Sequence, residues 1–152
     1  MAIIDIALVK SVNEYFDIAF ADNGDFVLTE GLDTALAMSV LEQRRADASE
    51  VVRPELRRGW WGNTLNDLAF EIGSKLWLLS QARKTQSTLT SAEDYAQNAL
   101  EWMVGDGIID DVNVIAYFEN NTMFIKIDIL KQNNLIHTAF FDAFAATGEI
   151  NQ

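Results

Sequence analysis

Between Thr122 and Leu130 the chain alternates strictly, with Met123, Ile125, Ile127 and Ile129 in one row and Phe124, Lys126 and Asp128 in the other. Successive side chains of a strand point to opposite faces, so this pattern predicts a half-buried β-strand whose register is fixed by the row that must be hidden. Asn120-Asn121 before it and Asn133-Asn134 after it are residues that tolerate tight turns. Val112–Phe118 and Leu135–Phe141 are apolar at strand length on the far side of each turn. The reading is a three-stranded antiparallel meander, which needs a second layer to cover its apolar face.

The preceding residues supply candidate covers. Thr90-Ser91-Ala92-Glu93 matches a capping box, and the helix it opens places Tyr95, Ala99, Trp102 and Met103 on one stripe before Gly105 and Gly107 stop it. Asp33 to Ala46 predicts an earlier helix, with Asp33 as N-cap, Leu36, Ala37, Val40 and Leu41 to the core, and Arg44 and Arg45 in the last turn. Leu65–Phe70 reads as a helical turn interrupted by Gly73, and Ser74–Arg83 as a short helix that buries Leu76 and Leu79. At the N-terminus, Ile3–Val9, Glu14–Phe20 and Phe26–Leu28 read as strands, the last two joined by a two-residue Asn23-Gly24 hairpin. The expected fold is therefore α+β, an antiparallel sheet built from N- and C-terminal β-meanders with about three helices in between. Its 152 residues are expected to form a single domain, 1–152.

Periodicity fails from Asp47 to Asn63, around Pro54, the only proline, and this long connection ends in Arg57-Arg58-Gly59-Trp60-Trp61-Gly62-Asn63. Two indoles here either fill the domain's own core or dock against a neighbour; the adjoining arginines favour docking. Arg57, Arg58, Trp60, Trp61 and Asn63 are the candidate partner-binding residues. Charge marks out the same region. Residues 43–84 hold eight Lys and Arg against five Asp and Glu, a local +3, so a net charge of −12 leaves −15 for the rest. That balance argues against a free-standing nucleic-acid binder, which needs clustered excess basic charge.

No apolar run approaches the roughly 20 residues that span a bilayer, so no membrane partner is expected. The opening Met-Ala-Ile-Ile-Asp lacks the basic start of a signal peptide. With no cysteine there is neither a disulfide framework nor a thiolate metal site. His137, the only histidine, falls in a predicted strand, and no serine sits in a Gly-x-Ser-x-Gly turn. The glycines form neither a dinucleotide nor a P-loop pattern. Asp22-Asn23-Gly24-Asp25 lacks the later bidentate glutamate of a calcium loop. Asp110 and Asp111, as strand neighbours, point apart. No catalytic, metal or cofactor-binding residue is expected.

Asp5-Ile6-Ala7-Leu8-Val9, Gly31-Leu32-Asp33-Thr34-Ala35, the double-Trp motif, Gly73-Ser74-Lys75-Leu76-Trp77-Leu78-Leu79 and the helix around Glu93-Asp94-Tyr95-Ala96 follow one another in a familiar order. Together they make the first two-thirds of the chain resemble the small baseplate protein of Mu-like contractile-tailed phages. That family is similar in role to the wedge proteins of contractile tails that carry a lysozyme-like label. The resemblance implies a structural subunit at the inner ring of wedges, one that helps start sheath assembly and has no enzymatic activity. Its implied partners are other baseplate wedge proteins and tail tube or sheath subunits. Its implied place is the virion tail baseplate, assembled in the bacterial host cytoplasm. The chain departs from the family where an acidic residue follows Trp-Trp-Gly, since Asn63 stands there, and its C-terminal strands match only in character. Two alternatives come from charge and carboxylates alone: an acidic inhibitor or nucleic-acid mimic, and a muralytic glycosidase.

Overall fold

The computed structural model describes residues 4–10, 16–65 and 70–142. The chain forms two compact units, residues 1–37 and 38–152. In the first, β1 (Ile4–Ile6) pairs antiparallel with β4 (Leu28–Glu30), while β2 (Leu8–Lys10) pairs antiparallel with β3 (Phe16–Ile18). One N-terminal strand thus divides between two partners, and Ala7 is the fork: its N–H donates to Val27 O at 2.8 Å and its carbonyl accepts from Ala19 N–H at 3.0 Å. The expected meander is only partly matched, because apolar residues on both sides of this stretch leave its register open to two partners. The expected strand starts at Ile3 and Glu14 lie outside the described residues. The turn also differs. Ala21 N–H donates to Asp25 O, which closes a three-residue loop with Gly24 at φ +82°, where a two-residue hairpin was expected.

The first helix, α1, runs Asp33–Leu41 and stops well short of the expected Ala46. Its continuation is taken by tertiary partners: Arg44 N–H donates to Ser74 O and Ala46 N–H to Arg57 O, both at 2.9 Å. Arg44 and Arg45 are therefore not last-turn residues. The expected helix over Ser74–Arg83 is also overturned; only a 3₁₀ turn, Leu76–Leu79, forms. Ser74 Oγ donates to Val40 O at 2.7 Å and accepts from Leu76 N–H, which ties the start of this stretch to a distant carbonyl. Leu65 lies in a turn after the 3₁₀ segment Trp61–Thr64, and residues 66–69 of the expected helical turn lie outside the described residues.

The second helix, α2 (Gln86–Gly105), starts a turn before the expected capping box. Thr85 is its N-cap, with Oγ1 accepting from Thr88 N–H at 3.2 Å. Glu93 is thereby freed to reach the sheet, where its carboxylate accepts from Ala116 N–H at 3.0 Å. The C-terminus ends as expected at its glycines. Gly107 N–H donates to Val104 O and Ile108 N–H to Met103 O, the paired bonds of a Schellman cap. The helix buries Ala92, Ala96, Ala99, Leu100 and Met103. Trp102 is half-buried: its indole N–H donates to Ser39 Oγ at 3.0 Å and its ring stacks on Phe70 at 4.7 Å.

The C-terminal meander forms as expected, from β5 (Asp111–Glu119), β6 (Thr122–Lys131) and β7 (Asn134–Asp142) in the order β5-β6-β7. Met123, Ile125, Ile127 and Ile129 are the buried row of β6, and α2 packs against β5. Asn120 and Asn121 both have positive φ, the mark of a two-residue type I′ hairpin. The second turn is Gln132-Asn133, one residue earlier than expected, and Asp110 holds it by accepting Gln132 N–H at 2.6 Å.

Among the described residues there are two α-helices and three separate sheets. The expected single sheet uniting both meanders, with about three helices between, is corrected accordingly. If Thr85 is the true cap, Thr85→Ala lowers stability by about 1 kcal/mol in urea unfolding, while Thr90→Ala stays within about 0.5 kcal/mol.

Candidate functional site

Beyond Leu41 the chain bends at Glu42, and the main chain of residues 42–46 is bonded on both sides. Ser74 N–H donates to Glu42 O at 2.8 Å and Arg44 N–H to Ser74 O at 2.9 Å, forming a parallel bridge between Gln43 and Ser74. Trp60 N–H donates to Gln43 O at 2.8 Å, and the buried Trp77 indole N–H donates to Arg44 O at 2.8 Å. Gly73 permits this approach, since a Cβ there would lie 2.8 Å from Glu42 O. The double-Trp loop is therefore anchored, main chain to main chain, on one short segment.

The arginines brace the loop by donating to its carbonyls. Arg44 Nη2 reaches Glu71 O at 2.7 Å, and Arg45 reaches Arg58 O at 3.1 Å and Pro54 O at 3.0 Å. Arg57 reaches Val51 O at 2.7 Å and Val52 O at 3.0 Å. Irregular main chain has no ladder to satisfy its carbonyls, and guanidinium forks supply several donors each. Among the described residues, no carboxylate pairs with Arg44, Arg45, Arg57 or Arg58. The nearby carboxylates go to Lys75, with Asp47 at 2.6 Å and Glu50 at 2.8 Å. The Lys75 hydrogen bond and charge hold the Asp47 carboxyl below the usual carboxylate range, with Arg57 adding to the effect. Burial opposes the charge on Lys75, but the two carboxylates together raise its ammonium above the ordinary lysine value.

The two indoles have different fates. Trp60 is half-buried and lies across Gly62, where an added Cβ would meet its ring at 2.3 Å. Trp61, with its ring centroid 5.9 Å from that of Trp60, is 70% exposed. Asn63 acts as a main-chain mimic: Nδ2 donates to Ile72 O at 2.8 Å and Oδ1 accepts from Ile72 N–H at 2.9 Å. Arg58 sits at φ +52° with its guanidinium 4.8 Å from the Trp77 ring centroid. Beside Trp61 is a shallow notch of about 120 Å³ walled by Arg45, Arg58, Trp60, Thr64 and Glu71.

Of the five residues singled out in sequence, Arg57, Trp60 and Asn63 are engaged within the loop, and Arg58 and Trp61 face outward at the notch. Arg45 and Glu71 join them there. The sequence does not single out Arg45 as a site residue because the expected helix runs through it to Ala46; the arginine pair just before the periodicity fails is the available signal. His137 lies in β7 opposite Ile129, half-buried on a strand face. Among the described residues no group of His, Asp and Glu is placed to hold a metal ion, and no helix is long and apolar enough to cross a membrane.

The loop, braced from within, thus leaves an indole and an arginine exposed, residue types that dominate the energetic anchors of protein interfaces. Residues 32–135 match the family described as phage protein GP46, and the chain belongs to that family. It is similar to the Mu-like prophage FluMu protein gp46 of Haemophilus influenzae, 44% identical over 96 residues that cover 61% of this chain and 67% of that protein. It is also similar to baseplate protein gp46 of Escherichia phage Mu, 39% identical over 114 residues that cover 74% of this chain and 76% of that protein.

This division of labour is testable by unfolding. Asn63→Ala, which strands the Ile72 main-chain groups, costs about 1–3 kcal/mol, whereas Trp61→Ala changes stability by less than about 0.5 kcal/mol. Because the folded Asp47 carboxyl titrates below its unfolded value, its pairing stabilises the fold above about pH 4 and the contribution is lost as pH falls through the folded value. Lys75→Met is expected to flatten that part of the acid-unfolding profile.

Proposed function

We propose that this chain is a structural subunit of a contractile phage tail baseplate, an inner wedge component that docks to its neighbours through the Arg57–Asn63 loop and helps initiate the sheath. The observation that carries the docking role is Trp61, 70% exposed on a loop whose other large anchors are tied down internally. Family membership supports the phage assignment, and the phage Mu relative is itself a baseplate protein. The proposed partners are other wedge proteins and tail tube or sheath subunits. The proposed place is the virion tail baseplate, with assembly in the bacterial host cytoplasm. No residue is given a catalytic role.

Within this reading the five loop residues divide the work. Arg57, Trp60 and Asn63 hold the loop's shape, while Arg58 and Trp61 meet the partner. A second contact is proposed at the C-terminal sheet, where β7 is an edge strand paired only with β6 among the described residues. An open edge accepts a partner strand through main-chain hydrogen bonds. Sheath nucleation by strand exchange would use this edge together with residues 143–152, which lie outside the described residues.

Complementation of a phage lacking this subunit tests the assignment. Trp61→Ala and Arg58→Gln are expected to fold normally yet fail to enter baseplates, as read by electron microscopy and mass spectrometry of tails. Normal incorporation of both would remove the docking role from this loop. Deletion of 143–152 is expected to leave incorporation intact and impair sheath polymerisation, and unimpaired sheath would reject the tail as the exchanged strand.

A further inference from the structure

We infer that Arg58 and Trp61 form a receptor for a single acidic side chain on a partner protein, with the Arg58 guanidinium taking the carboxylate and the Trp61 ring taking an apolar neighbour of it. The inference rests on the docking role proposed for this loop and gives that role a chemistry.

Four observations converge on it. Arg45 and Arg57 spend their donors on loop carbonyls, but the Arg58 guanidinium makes no hydrogen bond or ion pair among the described residues. It nevertheless has a cation–π contact, its Cζ lying 4.8 Å from the Trp77 ring centroid. That contact narrows where the guanidinium can sit, and its N–H donors, otherwise uncommitted among the described residues, are of the type that captures a carboxylate bidentately. Second, Arg58 is a non-glycine residue at φ +52°. Such backbone is uncommon outside Asn and Asp, costs conformational energy, and persists where the surroundings enforce it, often at binding sites. Here Arg45 donates to the Arg58 carbonyl at 3.1 Å.

Third, the notch of about 120 Å³ is far below the roughly 300–1,000 Å³ of small-molecule pockets and is on the scale of one inserted side chain. Fourth, among the described residues no carboxylate forms an ion pair with the guanidiniums of this loop, in a chain whose sequence outside residues 43–84 sums to −15. An acidic partner segment is therefore attracted at this spot and repelled elsewhere, which sets register as well as affinity. The exposed Glu71 at the rim favours a peptide over a nucleic acid. It opposes any anion, but successive phosphates more than one side-chain carboxylate seated on Arg58, and it offers an acceptor to a peptide N–H.

Purified protein and its variants, added to a tail extract lacking only this subunit, supply the test, with incorporation quantified by mass spectrometry and folding checked by thermal unfolding. Arg58→Gln and Trp61→Ala are each expected to lower incorporation about tenfold or more, and wild-type incorporation to fall as salt rises from about 50 to 300 mM. Arg58→Lys keeps the charge and loses the fork, so it is expected to retain only part of the activity. In that variant, carbodiimide is expected to join the introduced amine to an Asp or Glu of a baseplate protein, within a peptide that carries an apolar residue close by. Replacing that partner carboxylate with Arg is expected to restore incorporation of Arg58→Glu.

If Arg58→Gln incorporates normally while Trp61→Ala fails, the carboxylate receptor is rejected and the docking loop stands. If both incorporate normally, the docking role falls and takes this inference with it. Competition by a single-stranded oligothymidylate, with no carboxylate cross-link, would reassign the notch to nucleic acid and overturn the proposal.

Discussion

The main chain of residues 42–46 is the joint on which the middle of this protein depends. Gly73-Ser74 bonds to one side of it, Arg57 and Trp60 bond to it from elsewhere in the loop, and the Trp77 indole caps the Arg44 carbonyl. Had α1 continued, those same N–H and C=O groups would have been consumed within the helix. Helix bonds and loop bonds compete for one set of donors and acceptors. The tertiary set wins because Gly73 lets the two chains close to main-chain distance and Ser74 adds a buried side-chain bond to Val40 O. A loop whose own secondary structure is limited to short 3₁₀ turns is thereby given a fixed shape.

Charge is distributed by the same logic. The arginines around the loop serve as multiple donors to main-chain carbonyls, and the one nearby lysine collects the two nearby carboxylates. A guanidinium suits the first task because its planar fork reaches two carbonyls at once, and an ammonium suits the second because it is a compact charge. The result is a structural use of arginine that leaves its positive field intact. In a strongly acidic chain, that field is a local exception to the overall negative charge.

Legibility in the sequence followed the locality of the interactions. The β5-β6-β7 meander was readable because alternation in Met123–Ile129 and the Asn120-Asn121 turn act within a few residues. The turn at Gln132-Asn133 slipped by one residue because Asp110, distant in sequence, claims the Gln132 N–H. The start of α2 was misplaced because Thr90-Ser91-Ala92-Glu93 satisfies the local pattern of a cap, while Glu93 is engaged by an N–H of β5. The double-Trp motif was recognisable as unusual, yet residue types did not say which indole stays out. Gly62, over which Trp60 folds, and the Asn63 bridge to Ile72 decide that.

The sequence by itself determined the C-terminal sheet and its buried row, the existence of α2 and its glycine stop, the basic character of the central loop and the resemblance to a phage family. Those depend on periodicity, turn chemistry and composition, which are properties of neighbouring residues. Only the tertiary structure decided where α1 ends, that Ser74–Arg83 is not a helix, that the N-terminal strand divides between two partners, and that Arg58 and Trp61 are the pair left facing outward. Each of these turns on a hydrogen bond or close approach between residues far apart in the chain. Backbone groups with two possible partners are assigned by whichever distant group the fold delivers.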